Sequence, residues 1–291
     1  MIPITPEFLA QIATNAILLG LVYGMVGLGL SLILGIMNVL NIAHGSMYIL
    51  GGYLTYFVSA ELHYTPVVGF AFAAIVTFLL GVVFELILVD RVANDPTRVM
   101  LLTFGIAIVI EQVTLLRWGG TAIPTPSLVG GFTRISGIFF QNEQLVAAVA
   151  GVVVALITAL FLRYTNFGRA MRMVSQNSEA AKAVGVNYRW VFAVGLGIGS
   201  LYAGFAGSLL SPINFVYPDY QWYPLLFAFV VVVVGGLGSV TGSIIGGLLF
   251  GILETIGEVI FPSSADILVF LLVIVIILAR PQGLFGARER V

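Results

Sequence analysis

The sequence predicts an all-α fold, a polytopic transmembrane helical bundle of about eight or nine membrane segments, and three observations predict it. Of 291 residues, 60% are hydrophobic and only 9% charged, with mean hydropathy +1.11. Soluble domains carry roughly 25% charged residues, so this chain has little with which to build a water-facing surface. Several stretches exceed the roughly 20 apolar residues that span a bilayer as a helix. The third observation concerns runs such as FAFVVVVV (227–234). They do not alternate as the strands of a membrane β-barrel must.

Charged and turn residues divide the chain into candidate spans near 12–34, 37–59, 66–89, 98–117, 144–163, 190–211, 222–234, 240–260 and 266–280. The first follows MIPITPEFLAQ, which lacks the basic region of a cleaved signal peptide, so it is expected to be a retained span. The second lies within 8–60, where no Asp, Glu, Lys or Arg occurs, yet it opens with NVLNIAHGSMYILGG (38–52). It and 222–234 could each be a half-helix or re-entrant segment, since non-helical backbone is tolerated where protein or a polar cavity covers it. The third span ends near Glu85, and the fourth carries Glu111 amid apolar residues. An unpaired carboxylate is expensive there, so Glu111 is expected to be neutral or hydrogen-bonded to a neighbouring helix. Glu85, Glu254 and Glu258 lie nearer span ends and read as interfacial.

Small residues recur every four positions in three places. Ala16, Gly20 and Gly24 stripe the first span, and Gly195, Gly199, Ala203, Gly207 and Ser211 stripe the sixth. Gly238, Gly242 and Gly246 do the same in the eighth, beside Gly247 and Gly251. Such spacing lets helix backbones approach closely, which serves packing within the chain or a subunit interface.

Lys and Arg in the loops set orientation. With the N-terminus outside, Arg91, Arg98, Arg163, Arg169, Arg172, Lys182, Arg189, Arg280, Arg288 and Arg290 fall on the cytoplasmic side, with the C-terminus. Only Arg117 and Arg134 fall outside. The chain reads as a single transmembrane domain over 1–291, with two long loops. The outer one, 119–143, is rich in Gly and Pro.

The inner loop, 164–189, reads as two short capped helices. Asn166 is a cap for the first, which carries Arg169 and Arg172. Asn177 or Ser178 can cap the second. Glu179 lies in its first turn, Lys182 three residues on, and Gly185 at its C-cap. Apolar Met171, Val174, Ala180, Ala181 and Val184 are left over. Such a loop is either a solvated basic segment enforcing topology or a docking surface for a cytoplasmic partner. Net charge of −1 argues against a nucleic-acid partner. No GxxxxGK[ST] loop is present to cradle phosphates, so the chain cannot hydrolyse ATP alone.

If 38–52 is helical at 100° per residue, Asn38, Asn41, His44, Gly45, Tyr48 and Gly52 share about 120° of arc. That polar face either bonds a neighbouring helix or lines a substrate pathway. A metal at His44 is disfavoured, because the only other histidine, His63, lies at the far end of the segment. Neither reading needs catalysis, so no enzyme activity and no catalytic residue is expected.

Several segments together carry a family resemblance. NIAHGSMYILGGY (41–53), GRAMRMVSQNSEAAKAVGVN (168–187), FVVVVVGGLGSVTGSIIGGLLFGILE (229–254) and RPQGLFG (280–286) occur in that order. The chain resembles the permease subunits of ATP-binding cassette importers for branched-chain amino acids and the related urea and amide systems. The resemblance assigns Asn41, His44 and Gly45 to an early signature. It assigns Gly168, Arg169, Glu179, Ala180, Ala181, Lys182 and Gly185 to a coupling loop seated on an ATPase. Position 46 is Ser where relatives often have Glu, so it receives no chemistry. The resemblance further implies a lipid-embedded inner-membrane complex. Its parts would be a second, usually non-identical permease, two cytoplasmic ATPase subunits that use ATP and Mg, and an external binding protein. No cofactor of this chain itself is implied. Transport would proceed by alternating access. An autonomous channel or secondary transporter is the competing class.

Overall fold

A computed structural model describes residues 5–93, 95–260, 265–279 and 283–284. The helices are α1 (Pro6–Met37), α2 (His44–Tyr56, continued by a π-helical turn Phe57–Glu61), α3 (Pro66–Ile87), α4 (Pro96–Trp118) and α5 (Asn142–Tyr164). Then follow α6 (Asn166–Gln176), α7 (Ser178–Ala183), α8 (Tyr188–Asn214), α9 (Trp222–Gly235), α10 (Val240–Ile260) and α11 (Ala265–Ala279). Among the described residues, seven helical segments are long and apolar enough to cross a membrane. α2, with 13 α-helical residues, and α11, with 15, are not among them. At 1.5 Å per residue α2 is about 20 Å long, short of a hydrocarbon core of about 30 Å. Arg280, Arg288, Arg290 and most of RPQGLFG lie outside the described residues; Leu284 donates its N–H to Val234 O at the end of α9.

Local chemistry sets the ends of these helices. Pro6, Pro66 and Pro96 each stand at a first helical position, where no amide hydrogen is needed. Thr5 caps α1 and Asp95 caps α4 through their side-chain oxygens. α1 stops at Asn38, which takes a left-handed conformation (φ 53°) and returns its N–H to Leu34 O at 2.9 Å.

The fold is not wholly helical. In the outer loop, β1 (Phe132–Ile135) and β2 (Ile138–Gln141) pair antiparallel, Phe132 opposite Gln141 and Ile135 opposite Ile138. Ser136 and Gly137 join them, both at positive φ, the two-residue turn that matches strand twist. Gln11 of α1 completes the edge. Its amide nitrogen donates to Phe139 O and its amide oxygen accepts from Phe139 N, each at 2.8 Å.

α1 and α8 form the centre. Their membrane-spanning windows are 72% and 78% buried, against 28–33% for α3, α4 and α5. The outer faces of those three helices expose residues such as Ile75, Leu79, Val109, Leu116, Leu156 and Ile157, as lipid contact requires. α10 lies along α1, and α8 lies against α3 and α2.

The small residues are where the helix backbones meet. A Cβ at Gly207 would collide with the Tyr48 carbonyl, and one at Gly51 with the Gly204 backbone, so α2 and α8 touch main chain to main chain. Gly199 faces Ile33 and the Gly29 carbonyl of α1. Gly242 and Gly246 of α10 face Gly235 and Val231 of α9, while Gly247 and Gly251 face α1 at Gly20, Gly24 and Ala16. Gly238, in the turn before α10, lies against Gly35 of α1.

Candidate functional site: a tied polar segment, a polar pocket and a basic two-helix element

Helical continuity fails just where the polar segment begins. Asn38 is the exposed cap of α1, and 39–43 is non-helical. Asn41 is buried, and its side-chain oxygen accepts from Ala43 N at 3.1 Å, bending the chain into α2. The helix starts only at His44, so the single polar face over 38–52 does not form. The periodicity argument assumed an unbroken helix, and two asparagines that favour caps and turns break it.

His44 is fully enclosed, with Nε2 bonded to Val26 O of α1 at 3.0 Å. Its ring also lies against Gly29, where a Cβ would meet it at 2.9 Å. This geometry pins α2 to α1. Tyr48 is buried too; its hydroxyl bonds the Asn214 side chain, and its ring lies 6.4 Å from that of Tyr220.

Two residues outside the sequence-derived set complete this region. Ser46 Oγ donates to Gln221 Oε1, and Gln221 Nε2 donates to Glu111 Oε2, so one chain of side chains links α2, the turn before α9, and α4. Glu111 thus has its neighbour-helix partner. Ser46 drew no attention because it departs from the family pattern. Gln221 carried a faint signal: an amide at the mouth of an apolar span, where a buried polar group demands a partner.

A polar pocket lies at the end of the bundle bearing the β-hairpin. It has a volume of about 380 Å³ and is lined by α1, the start of α5, the end of α8, the start of α9 and α10. Glu254 of α10 is buried there, not interfacial. Its Oε1 accepts from Tyr23 at 3.1 Å and Tyr223 at 2.9 Å. Glu85, read from sequence as interfacial, is also buried, at the far end of α3. Glu258, one turn beyond Glu254, is exposed. Asn15, Gln144 and Asn214 bring side-chain amides to the same pocket.

At the opposite end, where α5 finishes and α8 begins, α6 and α7 form a compact unit. Thr165, not Asn166, caps α6, accepting from Gly168 N at 2.9 Å; Asn166 instead accepts from Arg169. Asn177 caps α7 through Ala180 N at 2.9 Å, and Glu179 pairs with Lys182 at 3.0 Å. Gly185 (φ 85°) closes α7, its N–H returning to Lys182 O and that of Val186 to Ala181 O. Met171, Val174 and Ala181 are not spare: they are buried against Leu32 and Ile36 of α1 and Val191 of α8. Arg169, Arg172, Glu179, Ala180, Lys182, Val184 and Gly185 remain exposed.

Fold and site together define a polytopic membrane protein with polar groups enclosed among its helices, the class that includes transport permeases. Residues 12–279 match the family described as "Branched-chain amino acid transport system / permease component". Similar proteins include the high-affinity branched-chain amino acid transport system permease protein LivH of Escherichia coli (strain K12), 28% identical over 94% of each chain. BraD, the corresponding permease protein of Pseudomonas aeruginosa, is 28% identical over 97% of each. LivM, also of Escherichia coli (strain K12), is 26% identical over 91% of this chain and 68% of its own. The chain belongs to the branched-chain amino acid permease family and is a multi-pass inner-membrane protein.

Proposed function

We propose that this chain is one membrane-spanning subunit of an ATP-driven importer that carries branched-chain, hydrophobic amino acids inward by alternating access. The observation that carries the reading is a family match running unbroken through the bundle and the α6–α7 element together. The similarity to both LivH and LivM, two permease proteins of one organism, supports a second, non-identical permease as partner. Two cytoplasmic ATPase subunits, which hold ATP and Mg, and an external binding protein complete the proposed complex.

The α6–α7 element supports the coupling step. It is clamped to α1 and α8 by Met171, Val174 and Ala181, so a push on it reaches the two most buried membrane-spanning helices. Its exposed Arg169, Arg172 and Lys182 offer cations to an ATPase surface. In this reading the α6–α7 end faces the cytoplasm and the hairpin end faces outward. That assignment fits Arg91, Arg98, Arg163 and Arg189 standing at the α6–α7 end, with Arg117 and Arg134 at the other.

Reconstitution in proteoliposomes tests the proposal. With the partner permease, both ATPases and the binding protein present, ATP-dependent leucine uptake is expected, with little competition from urea or acetamide. Uptake by this chain alone, without ATP, would instead make it an autonomous channel. Charge reversal at Arg169 and Lys182, or Gly185→Trp, is expected to release the ATPases while insertion stays normal. Unimpaired assembly and transport by those variants would remove the docking role.

A further inference from the structure

We infer that the pocket around Glu254 is a substrate site for the zwitterionic head of an amino acid, with the Glu254 carboxylate receiving the α-ammonium group. The inference rests on the importer reading above and adds to it a place and a chemistry for substrate within this chain.

Depth is the first argument. Tyr23 lies about 26 Å along α1 from Pro6, near the middle of a helix about 48 Å long, so the pocket floor reaches deep into the bundle. A carboxylate held there is costly unless it meets hydrogen-bond donors or a cation. Tyr23 and Tyr223 both donate to Oε1, fixing the carboxylate from α1 and α9 at once. A carboxyl group beside a cavity can pair with a small cation through charge-assisted hydrogen bonds.

The rest of the pocket suits the other parts of an amino acid. The amides of Asn15, Gln144 and Asn214 can donate to an α-carboxylate without placing a full positive charge beside Glu254. Leu19 and the ring of Tyr220 offer apolar surface for an aliphatic side chain. The volume of about 380 Å³ lies within the range of roughly 300–1,000 Å³ usual for small-molecule sites. Uncharged urea or an amide would leave the carboxylate with nothing to select.

Position also fits. The pocket lies at the bundle end opposite α6–α7, where substrate released by an external binding protein would enter. Tyr48 of α2 joins its wall through Asn214, and the Tyr48–Tyr220 contact ties that wall to the polar segment.

The test uses the complete importer in proteoliposomes. Glu254→Gln keeps an oxygen for both tyrosines but removes the charge. It should assemble normally while lowering leucine uptake by roughly tenfold or more. Leucine uptake by this variant at the wild-type rate would overturn the inference alone. Wild-type importer that moves urea or acetamide but no leucine would overturn the importer reading and the inference with it. A binding assay on the purified permease pair needs no variant. Leucinamide, which keeps the ammonium, should displace labelled leucine, whereas 4-methylpentanoate, which lacks it, should not. Equal displacement by both overturns the inference. Should Glu254→Gln fail to assemble, Asn15→Leu and Gln144→Leu, at half-buried positions, are expected to cut uptake severalfold; unchanged uptake in both would count against the site.

Discussion

At the start of α2 the polar side chains are buried and reach distant parts of the chain: His44 to Val26, Ser46 to Gln221, Tyr48 to Asn214. Along α6 and α7 they are exposed and bond three residues away: Arg169 to Asn166, Ser175 to the Arg172 carbonyl, Lys182 to Glu179. The first pattern locks helices together. An enclosed donor or acceptor that loses its partner has no water to replace it. The second pattern leaves charges that are already solvated and can exchange a local partner for a protein one at little cost. One protein therefore holds a rigid polar interior and a pre-folded, charge-presenting element, joined by the apolar seam of Met171, Val174, Leu32 and Ile36.

The contrast is open to being broken, most severely in the interior. Gly207→Leu drives a side chain into the Tyr48 carbonyl where α8 meets α2. It should destabilise the bundle by about 3 kcal/mol or more, seen as loss of a monodisperse peak after detergent extraction. A normal peak would show that α2 can move aside. Gln221→Leu strips partners from both Ser46 and Glu111. An expected loss of about 2–3 kcal/mol should appear as a lower melting temperature in detergent. An unchanged melt would mean those groups find water instead.

His44→Leu removes one buried bond to α1, for an expected loss of about 1–3 kcal/mol, with uptake falling as the folded fraction falls. If uptake vanished while the melt stayed put, His44 would belong to the pathway itself. Gly185→Ala forces a side chain into a left-handed backbone, worth about 1–2 kcal/mol and confined to α7. Hydrogen exchange should quicken at 181–186 and nowhere in α2. Smallest of all, Lys182→Ala should change stability by less than about 0.5 kcal/mol, since its partner Glu179 is exposed. A large shift in its melt would contradict the view of α6–α7 as loosely paired.

How much could be read in advance follows the same division. The capped pair of helices at 164–189 was legible in detail, because caps, dipole charges and a terminal glycine act within one turn. Only the cap of α6 shifted, by one residue, from Asn166 to Thr165. The glycine stripes were legible as close-packing surfaces, though not which helix each would meet. The shared polar face supposed for 38–52 required one unbroken helix, and it does not form because Asn38 and Asn41 use their side chains and φ angles to stop and restart the chain. The hairpin at 132–141 was missed. Strands this short depend on an edge partner, and that partner is Gln11, 128 residues away.

By itself, then, the sequence determined what depends on near neighbours: an apolar chain that must satisfy its backbone as helices, the positions of seven of its nine expected spans, the bias of its cations, and two capped helices between them. Tertiary structure alone decided which polar groups meet. Ser46 and Gln221 are 175 residues apart, and Tyr23 and Glu254 are 231 apart. Nothing in the local pattern of a helix says which face of another helix it will bury against. That choice belongs to packing, and here it follows from where glycines let two backbones touch.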